Sequence, residues 1–244
     1  MFWPDWGEAS GFGILLFRRS ALLVNGQMGI EEVTFRKYEA ADLRRCAELA
    51  EQAWPMRGAP RTGPDEPRAF EPWIESSSMS ATWAEVAVVS GEVVGFLFGS
   101  VDSLKPKGAA LEEVLDMLWM VRRMLSGGMD QWERPIRTML GFFFTEFKLE
   151  VNRPEADADI ILLIVDARLR GRRIGKTLVD RFVETARNAG ARAVSLFTDD
   201  KISNWKFYEI YGFKKTSTFH DNISTYFAGE PANAIYYLLE LDKK

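Results

Sequence analysis

Hydrophobic and polar positions predict a strand, a helix and a hairpin in the first half of the chain. Apolar and polar residues alternate over residues 33–36, which is typical of a strand. Apolar residues then recur at helical spacing from Ala40 to Trp54, so a helix follows at once. Two apolar runs flank Ser90-Gly91-Glu92 and predict a hairpin in which Gly91 takes a positive φ.

The second half of the chain predicts a longer alternation of strands and helices. Residues 158–165 are almost continuously apolar, which predicts a strand buried on both faces. After a basic, glycine-containing turn, a helix presents Ile174, Leu178, Phe182, Ala186 and Ala189 inward and ends at Gly190. We then expect a strand at 191–198, a short helix at 203–211 ended by Gly212, and two closing strands at 213–219 and 234–241.

Three segments depart from this alternation. Five of the ten prolines lie between Pro55 and Pro72, which predicts a loop there. Residues 104–150 carry two apolar stripes separated by Gly127-Gly128, which predict an amphipathic helical pair. Such stripes favour core packing or a homodimer face over a substrate lid. Residues 1–27 differ in composition, and two interpretations stay open: an extension that precedes a natural start at Met28, or an N-terminal arm.

Composition and charge restrict the classes of function. The 244 residues are 47% hydrophobic and 27% charged, with a formal net charge of −4, which argues against a nucleic-acid partner. One cysteine and one histidine exclude a disulfide framework and a two-histidine metal site. The apolar stretch 11–24 is short and interrupted by Arg18 and Arg19, so we expect no membrane association. We therefore expect a cytoplasmic protein that needs no metal.

The turn between the long strand and the following helix is strongly basic. It reads RLRGRRIGKTLV over residues 168–179. A helix N-terminus offers unpaired backbone N–H groups and a partial positive charge, which together suit a phosphate group. The pattern therefore favours anion binding over a solvated basic turn. The basic residues are Arg168, Arg170, Arg172, Arg173 and Lys176.

A phosphate-loop nucleotide hydrolase is one interpretation of this turn. The run from Gly171 to Thr177 is one residue short of that loop, which needs four residues between its glycine and the Gly-Lys-Ser/Thr that follows. Asp199 and Asp200 end a later apolar run and could hold magnesium. Too little chain follows position 171 for the rest of such a sheet, so this interpretation is the weaker one.

The turn and a second motif together resemble the GNAT superfamily of acyl-CoA N-acyltransferases. The family pattern Arg/Gln-x-x-Gly-x-Gly/Ala falls on Arg170, Arg173 and Gly175, and its closing Tyr-x-x-x-Gly-Phe begins at Tyr208. The resemblance covers about 30–55, 81–102 and 156–242. It implies an α/β three-layer fold over residues 28–244, with a mixed, mostly antiparallel sheet splayed at the long strand and a helical insertion at 104–150.

Two positions depart from the family pattern. Arg173 stands where the family has its first glycine, and we expect it to adopt ordinary helical dihedrals in the first turn of the helix. Asn204 lies four residues before Tyr208, whereas the family often has an asparagine seven residues before it. The motif therefore predicts a contact from Asn204 to coenzyme A from a shifted position, whereas Arg170 and Gly175 of the loop match the family pattern in place.

The resemblance implies direct transfer of an acetyl group from acetyl-CoA to a primary amine of a small molecule or peptide. Backbone groups of Leu163, Ile164 and Val165 would pair with the pantetheine arm, and the Val165 N–H would stabilise the oxyanion. Tyr208 would protonate the departing thiolate, with Tyr211 as the fallback. The residues expected to contact the coenzyme are Leu163, Ile164, Val165, Arg170, Gly171, Arg172, Arg173, Ile174, Gly175, Lys176, Thr177, Asn204 and Tyr208.

Other titratable residues are weaker candidates. Glu85, Asp157 and Asp159 are candidate general bases, although each is more typical of a solvated charge. We expect His220 on the surface and Cys46 in the core. The acceptor is unidentified, and the tryptophans at 54, 73, 83, 119 and 132 could line its pocket or only pack. A CoA-binding module without turnover is the alternative to an enzyme.

Overall fold

The computed structural model describes residues 32–54, 70–106, 118 and 151–241, all within one compact unit, Glu32–Lys244. Its centre is a seven-stranded sheet in the order β1-β2-β3-β4-β5-β7-β6. Only β4 and β5 run parallel, and the other neighbours are antiparallel. The strands are β1 Val33–Lys37, β2 Trp83–Val89, β3 Glu92–Val101, β4 Ala158–Val165, β5 Ala193–Asp199, β6 Lys214–His220 and β7 Asn233–Glu240.

Five α-helices whose bounds lie within the described residues accompany the sheet. The mixed, mostly antiparallel sheet with helices confirms the predicted fold class. In the described residues no helix is both long and apolar enough to cross a membrane. The helices are α1 Leu43–Ala53, α2 Glu71–Met79, α3 Ile174–Asn188, α4 Lys206–Tyr211 and α5 Asn222–Ala228, with short 3-10 helices at Ala40–Asp42, Asp102–Leu104 and Ala167–Leu169.

The strand, helix and hairpin predicted for the first half are confirmed, whereas two helices were missed. Pro72 lies in the first turn of α2, so the loop prediction is wrong there: a first-turn proline costs no helical hydrogen bond. Helix α5 begins at Asp221, whose carboxylate accepts hydrogen bonds from the N–H groups of Ile223 and Ser224. The predictions for 1–27, for most of the proline-rich loop and for most of 104–150 lie outside the described residues.

The sheet opens between β4 and β5. The two strands pair from Ala158↔Val194 to Ile160↔Leu196 and no further. Beyond that point β4 follows β3 as far as Val165, while β5 follows β7 as far as Asp199. Ile161 is skipped in the β3–β4 register, and such a bulge bends its strand. The predicted splay at the long strand is therefore present.

Helices cover the two faces of the sheet through two separate cores. Leu97, Leu196 and Tyr237 join the core of α3, where Phe182 and Leu178 are fully buried. Phe96 and Phe98, which alternate with Leu97 on β3, join the core of α1 on the opposite face. The first face is therefore called the α3 face and the second the α1 face.

Candidate active site

The predicted phosphate loop links the end of β4 to the start of α3. Gly171 has φ +83°, which suits a glycine. Arg173 also lies in the left-handed region, at φ 63° and ψ 10°. The expectation of helical dihedrals at Arg173 is therefore wrong: this residue precedes the helix as its N-cap rather than belonging to its first turn. A left-handed backbone conformation suits glycine, the residue that the family pattern has at this position.

Unpaired backbone donors line the start of α3. The first hydrogen bond of the helix joins the Thr177 N–H to the Arg173 carbonyl at 2.9 Å. The N–H groups of Ile174, Gly175 and Lys176 precede that bond, so they have no helical acceptor. Arg173 provides no side-chain cap. The loop can thus offer consecutive N–H groups and the positive end of the helix dipole to an anion.

The five basic residues of the loop have different surroundings. Arg168 binds Asp166, and the Lys176 ammonium lies 2.7 Å from the Asp180 carboxylate. Arg170, Arg172 and Arg173 are exposed. Two of the five basic residues are therefore bound to carboxylates of their own segment, and the other three side chains are open to solvent.

Asp166 is a residue of the site that sequence analysis missed. Its side chain is only 1% exposed. Oδ1 accepts hydrogen bonds from the Arg168 N–H at 2.9 Å and Nε at 3.0 Å, and Oδ2 accepts one from Nη2 at 2.6 Å. The Arg168 guanidinium lowers the pKa of this carboxyl. Its position just before a run of arginines was the available signal, because a buried carboxylate needs such partners.

The open edge of β4 carries free backbone groups. The Asp166 N–H donates to the Val94 carbonyl on β3 at 2.8 Å. Successive residues of a strand direct their backbone groups to opposite edges, so the N–H groups of Leu163 and Val165 point to the edge that β5 has left. The backbone N–H and C=O of Ile164 point to β3 instead. Of the three residues expected to pair with the pantetheine arm, only Leu163 and Val165 therefore have backbone groups at the open edge.

Tyr208 lies on α4 in a ring-lined setting. Its ring centroid is 5.2 Å from that of Phe207, 5.9 Å from Phe213 and 6.2 Å from Tyr237. Its hydroxyl makes no hydrogen bond to any described residue. Burial raises the pKa of the phenol, and the nearby Asp199 carboxylate raises it further. Tyr208 therefore holds its proton well above neutral pH.

The Tyr-x-x-x-Gly-Phe motif has a structural explanation at the end of α4. The N–H groups of Gly212 and Phe213 donate to the Tyr208 carbonyl at 3.1 and 2.9 Å. Gly212 has φ +120°, which favours glycine. Phe213 is 3% exposed, and its ring anchors the turn against Tyr208. The motif ends the helix and fixes the tyrosine at once.

The loop, the open strand and α4 meet at Gly175. A β-carbon at this position would lie 3.5 Å from Cγ2 of Val165 and 3.7 Å from Cζ of Phe207, the neighbour of Tyr208. Asn204 is exposed just before α4, and its carbonyl accepts a hydrogen bond from the Phe207 N–H at 3.0 Å. The structure therefore brings the predicted loop, Val165 and α4, the helix that carries Tyr208, to one end of the β4–β5 opening.

Tyr211 is differently engaged. Its hydroxyl donates to Asp180 at 2.7 Å, and the same carboxylate binds Lys176. Burial and this acceptor raise the pKa of Tyr211. A hydroxyl already bound to an exposed carboxylate on α3 is a poor proton donor to a leaving group, so the geometry favours Tyr208 over the fallback.

The candidate general bases lie away from the opening or are bound elsewhere. Glu85 faces α3, where Arg181 donates to it at 2.5 and 2.9 Å, so its predicted orientation towards the cleft is wrong. Asp157 binds Arg192, and Asp159 binds Arg153 and Ser195. Asp159 lies four residues before Leu163 on β4, about 13 Å away at the rise of a strand.

The remaining titratable candidates match their expected surroundings. His220 is exposed at the end of β6. Cys46 is fully buried in the core of α1, and burial raises the pKa of its thiol. No group of three or more metal-ligating side chains occurs in the described ranges.

Comparison with known proteins identifies the family. The sequence matches the model of the acetyltransferase (GNAT) family over residues 43–213. A mutant of agmatine N-acetyltransferase in its apo form is similar in structure, with a TM-score of 0.52, 16% identity, and coverage of 86% of this chain and 99% of that one. An aminoglycoside 6'-N-acetyltransferase complexed with coenzyme A has a TM-score of 0.50, 13% identity, and coverage of 86% and 98%.

A further solved structure is similar to the chain at a lower TM-score. An N-acetyltransferase from Staphylococcus aureus Mu50 has a TM-score of 0.48 and 18% identity, with coverage of 86% of this chain and 99% of that one. No match was found among curated protein sequences. The family match spans 171 of 244 residues, and it includes both the basic loop and the tyrosine motif. The chain belongs to the GNAT acetyltransferase family and is an acyltransferase.

Proposed function

We propose that the protein transfers the acetyl group of acetyl-CoA directly to a primary amine, with Tyr208 as the proton donor. The observation that carries the proposal is the convergence of the α3 N-terminus, the open edge of β4 and α4, the helix that carries Tyr208, around Gly175. Each of the three supplies a different requirement of the reaction: anion binding, oxyanion stabilisation and protonation of the thiolate.

The loop would bind the pyrophosphate of coenzyme A. Within the segment Gly171 to Thr177, the backbone N–H groups of Ile174, Gly175 and Lys176 can each donate to a phosphate oxygen. Arg170, Arg172 and Arg173 add charge-assisted hydrogen bonds. From there the pantetheine arm can run along the open edge of β4, where it would pair with Leu163 and Val165 as an added strand does.

Amide formation then proceeds by a balanced transfer. The amine nitrogen bonds to the thioester carbonyl carbon, and the Val165 N–H stabilises the oxyanion that forms. The carbon–sulfur bond breaks, and the Tyr208 hydroxyl gives its proton to the departing thiolate. The amine loses a proton to solvent, because the candidate bases Glu85, Asp157 and Asp159 are each bound by an arginine. A proton from solvent then restores Tyr208.

The acceptor is a primary amine of a small molecule or peptide. Proteins of similar structure bear the names of agmatine and aminoglycoside acetyltransferases, which supports an amine acceptor for this chain. We propose a cytoplasmic setting, a single catalytic domain over residues 28–244, and no requirement for metal or nucleic acid.

Release of free CoA thiol tests this function. Purified protein with acetyl-CoA and a panel of amines, peptides and aminoglycosides is expected to release thiol with at least one acceptor, and mass spectrometry should find that acceptor heavier by one acetyl group. Binding of acetyl-CoA with no thiol release from any acceptor would favour the non-catalytic module. Thermal stabilisation by ATP–magnesium but not by acetyl-CoA would favour a nucleotide hydrolase.

A further inference from the structure

Phe197 is a large apolar side chain left exposed at the mouth of the β4–β5 opening. It follows Leu196, the last residue of β5 that pairs with β4. Its exposed fraction is 47%, although it lies in the interior of a strand with a neighbour on its other side. Covering such a ring removes apolar area from water, so an apolar group of a ligand in the opening would gain free energy by packing on it.

The ring points to the α1 face. Leu196 belongs to the core beneath α3, and successive side chains of a strand point to opposite faces. Phe197 therefore points away from α3 and from the loop at its N-terminus. Across β7 it contacts Tyr236, at 6.0 Å between ring centroids, and Tyr236 in turn contacts Phe219 on β6 at 6.4 Å. The three rings form a row, called the aromatic row below.

The position of the row fits the approach of the acceptor. The coenzyme loop and Tyr208 belong to α3 and α4, whose residues pack in the α3-face core. A thioester held in the opening from that side is accessible to a nucleophile from the α1 face. Phe197 is the exposed member of the row nearest the opening, whereas Tyr236 is 5% exposed and buried beside it.

We infer that Phe197 is a specificity-determining residue that contacts the hydrocarbon part of the acceptor, and that the acceptor is an amine with an aryl or bulky alkyl group close to its nitrogen. This inference rests on the proposed function, since it locates the acceptor relative to the thioester. The flat ring offers apolar contact area but no hydrogen bond, so it favours such an amine over a short polar one.

Binding and turnover of two amines test the inference. Phenethylamine and ethanolamine differ in the apolar group that Phe197 would contact. Phe197→Ala is expected to lower the affinity of the CoA-saturated protein for phenethylamine about tenfold, as measured by calorimetry. It should also lower kcat/KM for phenethylamine about tenfold, as measured by thiol release. The values for ethanolamine should stay within about twofold. Phe219→Ala, at the far end of the same row, is the matched control and should leave both amines unaffected.

Phe197→Leu separates apolar contact from attraction of the ammonium by the ring face. Leucine keeps most of the apolar area, so phenethylamine binding should be retained; its loss in Phe197→Leu would favour a cation–π role and overturn the inference. Equal losses for both amines in Phe197→Ala, or none for phenethylamine, would overturn it too. Phe197-dependent binding without any thiol release would keep the inference and reject the proposed function.

Discussion

Asp166 binds Arg168 through both carboxylate oxygens, and the two residues lie between the end of β4 and the basic loop that precedes α3. The same carboxylate accepts the Arg168 backbone N–H, which starts the 3-10 helix Ala167–Leu169. Arg45 of α1 also lies 3.7 Å from it. Asp166 therefore fixes the direction in which the chain leaves β4 and enters the loop.

Asp166→Asn should weaken acetyl-CoA binding without slowing the chemical step. The amide keeps an acceptor but loses the charge that holds the guanidinium, so the loop donors shift from their positions. We expect the Kd for acetyl-CoA to rise about tenfold, equivalent to ~1.4 kcal/mol, with kcat unchanged. Calorimetry and saturation kinetics measure the two quantities.

Asp157→Asn is the matched control for Asp166→Asn. It disrupts a similar bidentate pair, with Arg192, near the opposite end of β4. It should leave the Kd for acetyl-CoA unchanged. A similar rise in Kd for both variants would show that Asp166 acts through general stability alone.

Arg173→Gly should stabilise the fold and weaken the binding of acetyl-CoA. The left-handed conformation costs an L-residue about 1–2 kcal/mol, which glycine avoids at a smaller entropic cost, so unfolding free energy should rise by up to ~1 kcal/mol. Loss of the guanidinium should raise the Kd for acetyl-CoA. Arg173→Ala, which keeps the left-handed cost, should share the weaker binding and not the added stability. Equal stability of the two variants would contradict the role of the backbone conformation.

Tyr208→Phe should lower turnover far more than acetyl-CoA affinity. The substitution removes the hydroxyl that would protonate the leaving thiolate, so kcat should fall by a factor of about 10²–10⁴. The ring contacts with Phe207 and Phe213 remain, so the Kd for acetyl-CoA should change little. Tyr211→Phe tests the alternative donor. If the Tyr211 variant loses turnover and the Tyr208 variant does not, the assignment of the proton donor is wrong.

Gly99→Ala should destabilise the packing of α3 on the sheet. A β-carbon on Gly99 would lie 2.4–2.8 Å from ring atoms of Phe182, which is fully buried. Displacing that ring should cost about 1–3 kcal/mol in urea unfolding. Gly175→Ala, whose β-carbon would meet only ordinary contacts from 3.5 Å, should be neutral or slightly stabilising. Equal losses would mean that glycine flexibility matters rather than space.

Acid titration should reveal the Asp157–Arg192 pair. The hydrogen bonds from Arg192 lower the pKa of Asp157 from 3.8 to about 2. The Asp157 carboxyl takes up its proton at a lower pH in the folded state than in the unfolded state. The stabilisation that this pair gives the fold is therefore complete above about pH 4 and is lost as the pH falls through about 2. The wild-type protein should thus be more stable than Asp157→Asn near pH 7, and circular dichroism should find that advantage gone near pH 2. A pH-independent difference would contradict the assignment.

Local patterns predicted most of the fold. The stripe of Ile174, Leu178 and Phe182 is the buried side of α3, because helical spacing alone decides which residues share a face. Helix α2 was missed because Pro72, which lies in its first turn, belongs to a cluster of prolines that together predict a loop. Helix α5 was missed because its seven residues are too few to establish a period.

The site divides in the same way. The strand, the basic loop and the Tyr-x-x-x-Gly-Phe motif are each recognisable from a short run of consecutive residues. The sequence alone was therefore enough to predict the family, the position of the loop and the candidate tyrosine. Tertiary structure decided which charges pair with each other. Arg168 and Lys176 are bound to carboxylates, and Glu85 is bound by Arg181, which lies 96 residues later on α3. Only the paired register places Phe197 beside the opening, and only the backbone reveals Arg173 in a glycine conformation, because both depend on how distant segments meet.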